Sequence, residues 1–203
     1  LGVEWAAEHL PAIVEAWAPG MYAGQAVAEI LYGKVNPSAK LAITIPRSVG
    51  QLQMIYNHKP SQYFHPYAVK PSTPLWPFGY GLSYTTYKYD DLKLSAKEVS
   101  QNQNVEVSVK VTNTGQRDGV EIVQLYIRDK YSSVTRPVKE LKDFARVALK
   151  AGESKVVTFT ITPDKLAFYD KKMKWIVEPG EFVVMAGASS ADESLLKETF
   201  ILK

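Results

Sequence analysis

Two carboxyl groups facing one another can work as an acid and a nucleophile, or as an acid and a base. Glu4, Glu8, Glu15 and Glu29 are the acidic residues of the first 46 positions. None stands in a recognisable catalytic setting. Glu29 falls on a helical stretch, where a solvated carboxylate is the simple reading. Glu15 sits in an apolar run, as an exposed edge or as a buried neighbour of a site. His9, His58 and His65 lack metal-ligand spacing. Ser38, Ser48 and Ser83 lack the Gly-x-Ser-x-Gly setting of a nucleophilic serine. Gly20 to Gly24 carries no phosphate-cradling pattern with a lysine. No catalytic residue, metal ligand or cofactor is therefore assigned. Tyr56, Tyr63 and His65 mix rings with hydrogen-bonding groups beside Asn57, and are the candidates for substrate binding. A packed loop histidine is the plain alternative for His65. Arg128, Asp129 and Lys130 read as a charged strand end, and Tyr126, Tyr131 and Arg136 as rim packing.

These candidates need elements to hold them. With 203 residues the chain has room for one large or two small domains. A formal net charge of +3 and the lack of a dense Lys/Arg stripe argue against nucleic acid as a partner. There is no cysteine, which excludes disulfides and thiolate chemistry. That fits a periplasmic or secreted protein, and also the cytosol. No apolar run of about 18 residues exists, so no membrane helix is expected. Leu1 to Trp5 reads as mid-domain sequence, so a longer parent protein is expected.

Residues 4–10 suggest a helical turn ended by Pro11. Residues 12–17 form a short apolar run that predicts a buried strand. Gly24 to Leu31 predicts a helix with Ala26, Val27, Ile30 and Leu31 on one face, closed by Gly33. Asn36-Pro37-Ser38 is a turn, and Leu41 to Ile45 predicts another short strand before Pro46. This is α/β text, but too little of it to cover a sheet. Residues 1–46 therefore read as the C-terminal fragment of an α/β-sandwich domain.

Residues 47–83 are a proline-rich, aromatic crossover. Phe78 and Tyr80 alternate with Gly79 and Gly81 near its end and, with Trp76, predict a structural clasp. From residue 84 onward the pattern is β. Val105 to Val111, Val123 to Ile127 and Val157 to Ile161 alternate apolar and polar, and Leu141 to Leu149 adds another strand. Lys174 to Val177, Phe182 to Met185 and Thr199 to Leu202 complete the set, with a helical turn at Pro163 to Leu166. About seven short strands with regular turns predict an immunoglobulin-like sandwich over residues 84–203.

Several motifs occur together in a fixed order. They are Ala16-Trp17-Ala18-Pro19-Gly20, Gly24-Gln25-Ala26 through Ile30-Leu31-Tyr32-Gly33, Asn36-Pro37-Ser38-Ala39-Lys40-Leu41 and Thr44-Ile45-Pro46. In this order they resemble the end of the second, α/β-sandwich domain of glycoside hydrolase family 3. Pro77-Phe78-Gly79-Tyr80-Gly81-Leu82-Ser83-Tyr84-Thr85 is similar to that family's passage into its C-terminal fibronectin type III-like domain. Val111-Thr112-Asn113-Thr114-Gly115, Arg136-Pro137, Glu140 to Phe144 and Pro179-Gly180 resemble that domain itself. The resemblance covers nearly the whole chain and is strongest to the periplasmic β-glucosidase branch. Ala39 stands where the family usually has glycine, and Ala18 where it usually has an aromatic residue.

The resemblance implies a retaining exo-acting β-glucosidase in the complete protein, with β-xylosidase or arabinosidase as the same-family alternative. It implies that both catalytic carboxylates lie outside this chain. The nucleophilic aspartate would lie in an N-terminal barrel and the acid/base glutamate upstream in the second domain. The expected partners are that N-terminal portion, in the same or a separate chain, and a β-glucoside or oligosaccharide substrate. Neither nucleic acid nor a membrane is expected, no cofactor is implied, and a homodimer is left open. The alternative of another class is a non-catalytic carbohydrate-binding or adhesion module, which an exposed aromatic platform on the sandwich would favour.

Overall fold

A computed structural model of the chain describes residues 2–60 and 71–203. Two short helices open it, α1 (Glu4–His9) and α2 (Ala23–Leu31), and neither buries a residue fully. A third, α3 (Pro163–Leu166), is one turn with proline in its first position. No helix among the described residues is long and apolar enough to cross a membrane.

Ten strands follow the crossover: β1 (Tyr87–Leu94), β2 (Glu98–Val99), β3 (Val105–Asn113), β4 (Gly119–Asp129) and β5 (Glu140–Leu149), then β6 (Ser154–Ile161), β7 (Phe168–Tyr169), β8 (Trp175–Ile176), β9 (Gly180–Gly187) and β10 (Leu195–Leu202). They form a three-stranded sheet in the order β1-β3-β6 and a five-stranded sheet in the order β2-β10-β9-β4-β5. β7 and β8 make a separate hairpin. The two larger sheets pack face to face. Val105, Val107, Val109 and Val111 of β3 meet Val123, Leu125 and Ile127 of β4, with Phe159, Phe182 and Phe200 filling the layer. Strict alternation puts every second residue of β3 into this core, and the polar residues between them face out.

β4 is buried on both faces. Its odd-numbered residues enter the sandwich core, while Tyr126 on the opposite face is fully buried with Met185 and Leu195. The crossover covers that outer face through Tyr56 and Phe78. Tyr126 is therefore not rim packing, as its neighbours in sequence had suggested.

The N-terminal segment departs from expectation at two places. Residues 12–17 form no strand, and Ile13, Val14 and Trp17 are exposed. Residues 41–45 contribute only a bridge between Ile45 and Trp76. A strand exists only as one member of a ladder. Among the described residues no extended neighbour lies beside residues 12–17, and only the crossover lies beside Ile45.

Candidate functional site

The motif-bearing stretches at 36–46 and 77–85 meet the sandwich along one seam. At its edge the Asn36-Pro37-Ser38 turn presents the Asn36 amide. The Asn36 Nδ2 donates to the Asp118 carbonyl at 3.0 Å. Its Oδ1 accepts from the Ser83 hydroxyl and the Tyr84 amide, both at 2.8 Å. One side chain thus ties the turn to the crossover and to the loop before β4.

Four residues on, Lys40 enters the seam. Its Nζ donates to the Gly81 carbonyl at 3.1 Å and lies 3.2 Å from Glu121 Oε1. Glu121 is 1% exposed, and the same Oε1 accepts from the Tyr89 hydroxyl at 2.8 Å. Burial pushes the Glu121 carboxyl above its ordinary value, against the pull of the Lys40 ammonium. Burial and the neighbouring Glu121 charge push the Tyr89 phenol up. Removing one partner of a buried ion pair is costly, because it leaves the other charge buried and uncompensated.

Gly79 and Gly81 explain the alternating glycines of the crossover. Gly79 has φ +79°, and a Cβ there would lie 2.0 Å from Gln124 Oε1. Gln124 donates through Nε2 to the Gly79 carbonyl at 3.1 Å and to the Ala188 carbonyl at 2.7 Å, and accepts from the Tyr126 hydroxyl at 2.5 Å. A Cβ on Gly81 would meet the Ala39 carbonyl at 2.5 Å. Glycine is required at both positions because main chain and buried amide approach where a side chain would stand.

The aromatic residues lock the same seam. Phe78 stacks on Tyr56 with centroids 4.2 Å apart, and Tyr56 meets Tyr126 edge-on at 5.9 Å. The Leu141 amide donates to the Tyr56 hydroxyl at 3.2 Å. Trp76 lies parallel to Tyr80 at 6.4 Å. Backbone bonds from Val138 to His58 and from Ser190 to Phe78 add two more staples.

A cleft of about 870 Å³ opens along the crossover, with Arg47, His58, Arg128, Lys139, Asp192 and Lys197 among its walls. Lys139 is buried, donating to the Ser190 carbonyl at 2.8 Å and pairing with Asp192 at 3.2 Å. Burial lowers the Lys139 ammonium below its ordinary value, and Asp192 opposes that shift. Burial likewise lowers His58. A second pocket of about 220 Å³ lies at the end of β4 and holds the Asp129 carboxylate. Burial pushes Asp129 up, while the Arg136 charge pulls it down.

Of the three residues proposed to bind substrate, Tyr56 lines the large cleft while its ring is held in the Phe78–Tyr126 stack. Tyr63 and His65 fall outside the described residues. Asp129 is the charged end of β4, and it is buried. Arg136 lies over the Phe168 ring at 4.7 Å, and Tyr131 is exposed. Glu15 is exposed and Glu29 is half-buried on α2. The Glu15 carboxylate accepts from the Trp17 amide at 3.0 Å, and Glu29 pairs with Lys34 at 2.7 Å. His9 stacks on Trp5 at 4.6 Å. Among the described residues no cluster of His, Cys, Asp or Glu could hold a metal.

The Lys40–Glu121–Tyr89 network and the Gln124 clamp are absent from the sequence reading, though Glu121 left a signal. It shares the parity of Val123, Leu125 and Ile127, which places a charged residue on the core side of β4.

A family model described as the glycosyl hydrolase family 3 C-terminal domain matches residues 1–84, and one described as a fibronectin type III-like domain matches residues 121–190. A β-xylosidase from Formosa agariphila is 44% identical over 206 residues, covering 100% of this chain and 28% of its own length. The chain belongs to glycoside hydrolase family 3. A periplasmic β-glucosidase from Salmonella typhimurium is likewise 44% identical over 190 residues, 89% of this chain and 25% of that protein. Among solved structures, a β-glucosidase from Erythrobacter marinus matches with TM-score 0.96 at 44% identity, over 100% of this chain and 27% of that one. A β-glucosidase from Listeria innocua, solved with glucose, matches with TM-score 0.91 at 36% identity, over 100% of this chain and 29% of that one. The chain thus spans about a quarter of the length of these family 3 relatives. The seam described above joins the stretch that matches the family's C-terminal domain to the sandwich.

Proposed function

We propose that this chain is the C-terminal portion of a retaining, exo-acting β-glucosidase that removes non-reducing β-D-glucosyl units. It supplies scaffold and interdomain packing, while the nucleophilic aspartate and acid/base glutamate lie in polypeptide N-terminal to this stretch. The observation that carries this reading is the use made of buried acids. Glu121 is spent on Lys40 and Tyr89, and Asp129 lines a pocket whose walls hold no second carboxylate among the described residues. Retaining hydrolysis needs two carboxyl groups about 5–5.5 Å apart across a substrate cleft. The open apolar side chains of residues 5–32 support docking onto further polypeptide, because exposed apolar patches of that kind mark interaction surfaces.

The second reading, β-xylosidase or arabinosidase, is favoured by the name of the Formosa agariphila relative. A periplasmic or secreted location is supported by the name of the Salmonella typhimurium relative. The test is hydrolysis of aryl β-glucoside and aryl β-xyloside by the 203-residue chain and by the longer parent protein. The parent is expected to prefer the glucoside, and the chain alone to be silent. Turnover by the chain alone would sink the scaffold reading, and preference for the xyloside would select the second one.

A further inference from the structure

The β7–β8 hairpin stands apart from both large sheets and displays its rings. Tyr169 and Trp175 are cross-strand partners, 57% and 51% exposed, with centroids 4.8 Å apart and planes tilted by 56°. Their positions are fixed from several sides. The Trp175 indole N–H donates to Asp164 at 3.0 Å. The Asp170 carboxylate accepts from the amides of Lys172 at 2.7 Å and Lys174 at 2.9 Å, which closes the turn. Cross-strand aromatic pairs on so short a hairpin usually seek cover, and here they face solvent.

The charge around the rings is one-sided. Lys171, Lys172 and Lys174 are all exposed, and among the described residues none of them forms an ion pair. The nearby carboxylates are committed, Asp170 to the turn amides and Asp164 to the indole.

We propose that this hairpin is a docking platform for an acidic, uronate-bearing polysaccharide chain. The solvent-facing surfaces of the two tilted rings offer contact to the apolar C–H face of one pyranose ring. The three ammonium groups on the same turn pair with uronate carboxylates along the chain. Charge complementarity selects this occupant. A neutral glycan would leave three lysines unused, and a bare polyanion would leave the rings unused. That the partner is a glycan rests on the function proposed above, but the platform is separate from hydrolysis and can fail independently.

Native electrophoresis of the 203-residue chain in gels cast with glucuronoxylan, neutral arabinoxylan, polyaspartate or no additive tests this. Retardation is expected in glucuronoxylan alone. Trp175→Ala is expected to weaken it about fivefold, as loss of one aromatic contact would. Lys171→Ala/Lys172→Ala/Lys174→Ala should weaken it at least as much, and because these side chains are solvated that variant should fold like the parent. Unchanged mobility in glucuronoxylan, or equal retardation by arabinoxylan or by polyaspartate, would overturn the proposal. So would retention that survives the triple substitution. Hydrolysis of aryl glycosides by the parent protein is read separately, so failure of the platform and failure of the glucosidase reading are distinguishable.

Discussion

The sandwich and the segment that precedes it both carry many apolar side chains, and they use them in opposite ways. In the sandwich, residues such as Val107, Leu125 and Phe200 are fully enclosed by partners from the same 120-residue stretch. In the segment, Trp5, Trp17, Met21 and Leu31 lie open, and neither helix buries a residue fully. Apolar content alone therefore does not make a folding unit; closure of sheet edges and faces does. Between the two lies the seam, where single polar side chains such as Asn36 and Gln124 hold both regions in register.

Truncation should separate the two regions most strongly. Phe200→Ala is expected to cost about 3–5 kcal/mol in urea unfolding, the usual range for a fully buried ring. Trp17→Ala, at 60% exposure, is expected to leave the midpoint of the isolated chain unchanged. A large loss from Trp17→Ala would mean that the segment has a core of its own.

The seam should respond next. Lys40→Met alone is expected to cost about 3–5 kcal/mol, because it strands the buried Glu121 carboxylate. Adding Glu121→Gln should recover much of that loss, which a double-mutant cycle by chemical denaturation reads directly. Additive losses would deny the pair its coupling. Asn36→Ala removes three hydrogen bonds and is expected to cost about 1–3 kcal/mol, with the sandwich strands intact by amide exchange.

Acid titration gives a smaller effect with a defined sign. Burial raises the folded Glu121 pKa above its ordinary 4.5, so folded chains keep a proton that unfolded chains have lost. That stabilisation is fully present below pH 4.5 and is lost as pH rises through the raised value. The stability of the parent minus that of Glu121→Gln should therefore shrink as pH climbs from 4.5. Growth of that difference would mean that Lys40 outweighs burial. At the bottom of the scale, Glu29→Ala is expected to leave the melting temperature unchanged, because its pair with Lys34 is solvated.

Much of this architecture was legible in the residues. The valines of β3 and the alternation in β4 and β6 mark the core, and Gly24 to Leu31 marks α2 almost to its ends. The first strand was harder. Tyr87 and Tyr89 share one parity, but the pairing with β3 shifts between Asp90 and Lys93, so Leu92 and Leu94 follow on the other. A bulge of this kind breaks the period that sequence patterns rely on. The apolar runs at 12–17 and 41–45 predicted strands because apolar runs record burial, not the partner that provides it. At the seam, the family-like motifs located the right residues, yet the partners were out of reach. Lys40 meets Glu121 across 81 positions of chain, and no local pattern carries that distance.

The central claim is that residues 2–35 complete their burial on polypeptide outside this chain, while the sandwich is complete as it stands. Hydrogen–deuterium exchange, followed by mass spectrometry on the 203-residue chain and on the longer parent, tests this most directly. Peptides from residues 2–35 should exchange within seconds in the chain alone and become protected in the parent. Peptides from β3, β4 and β9 should be equally protected in both. Strong protection of residues 2–35 in the isolated chain, or no gain of protection in the parent, would contradict the account.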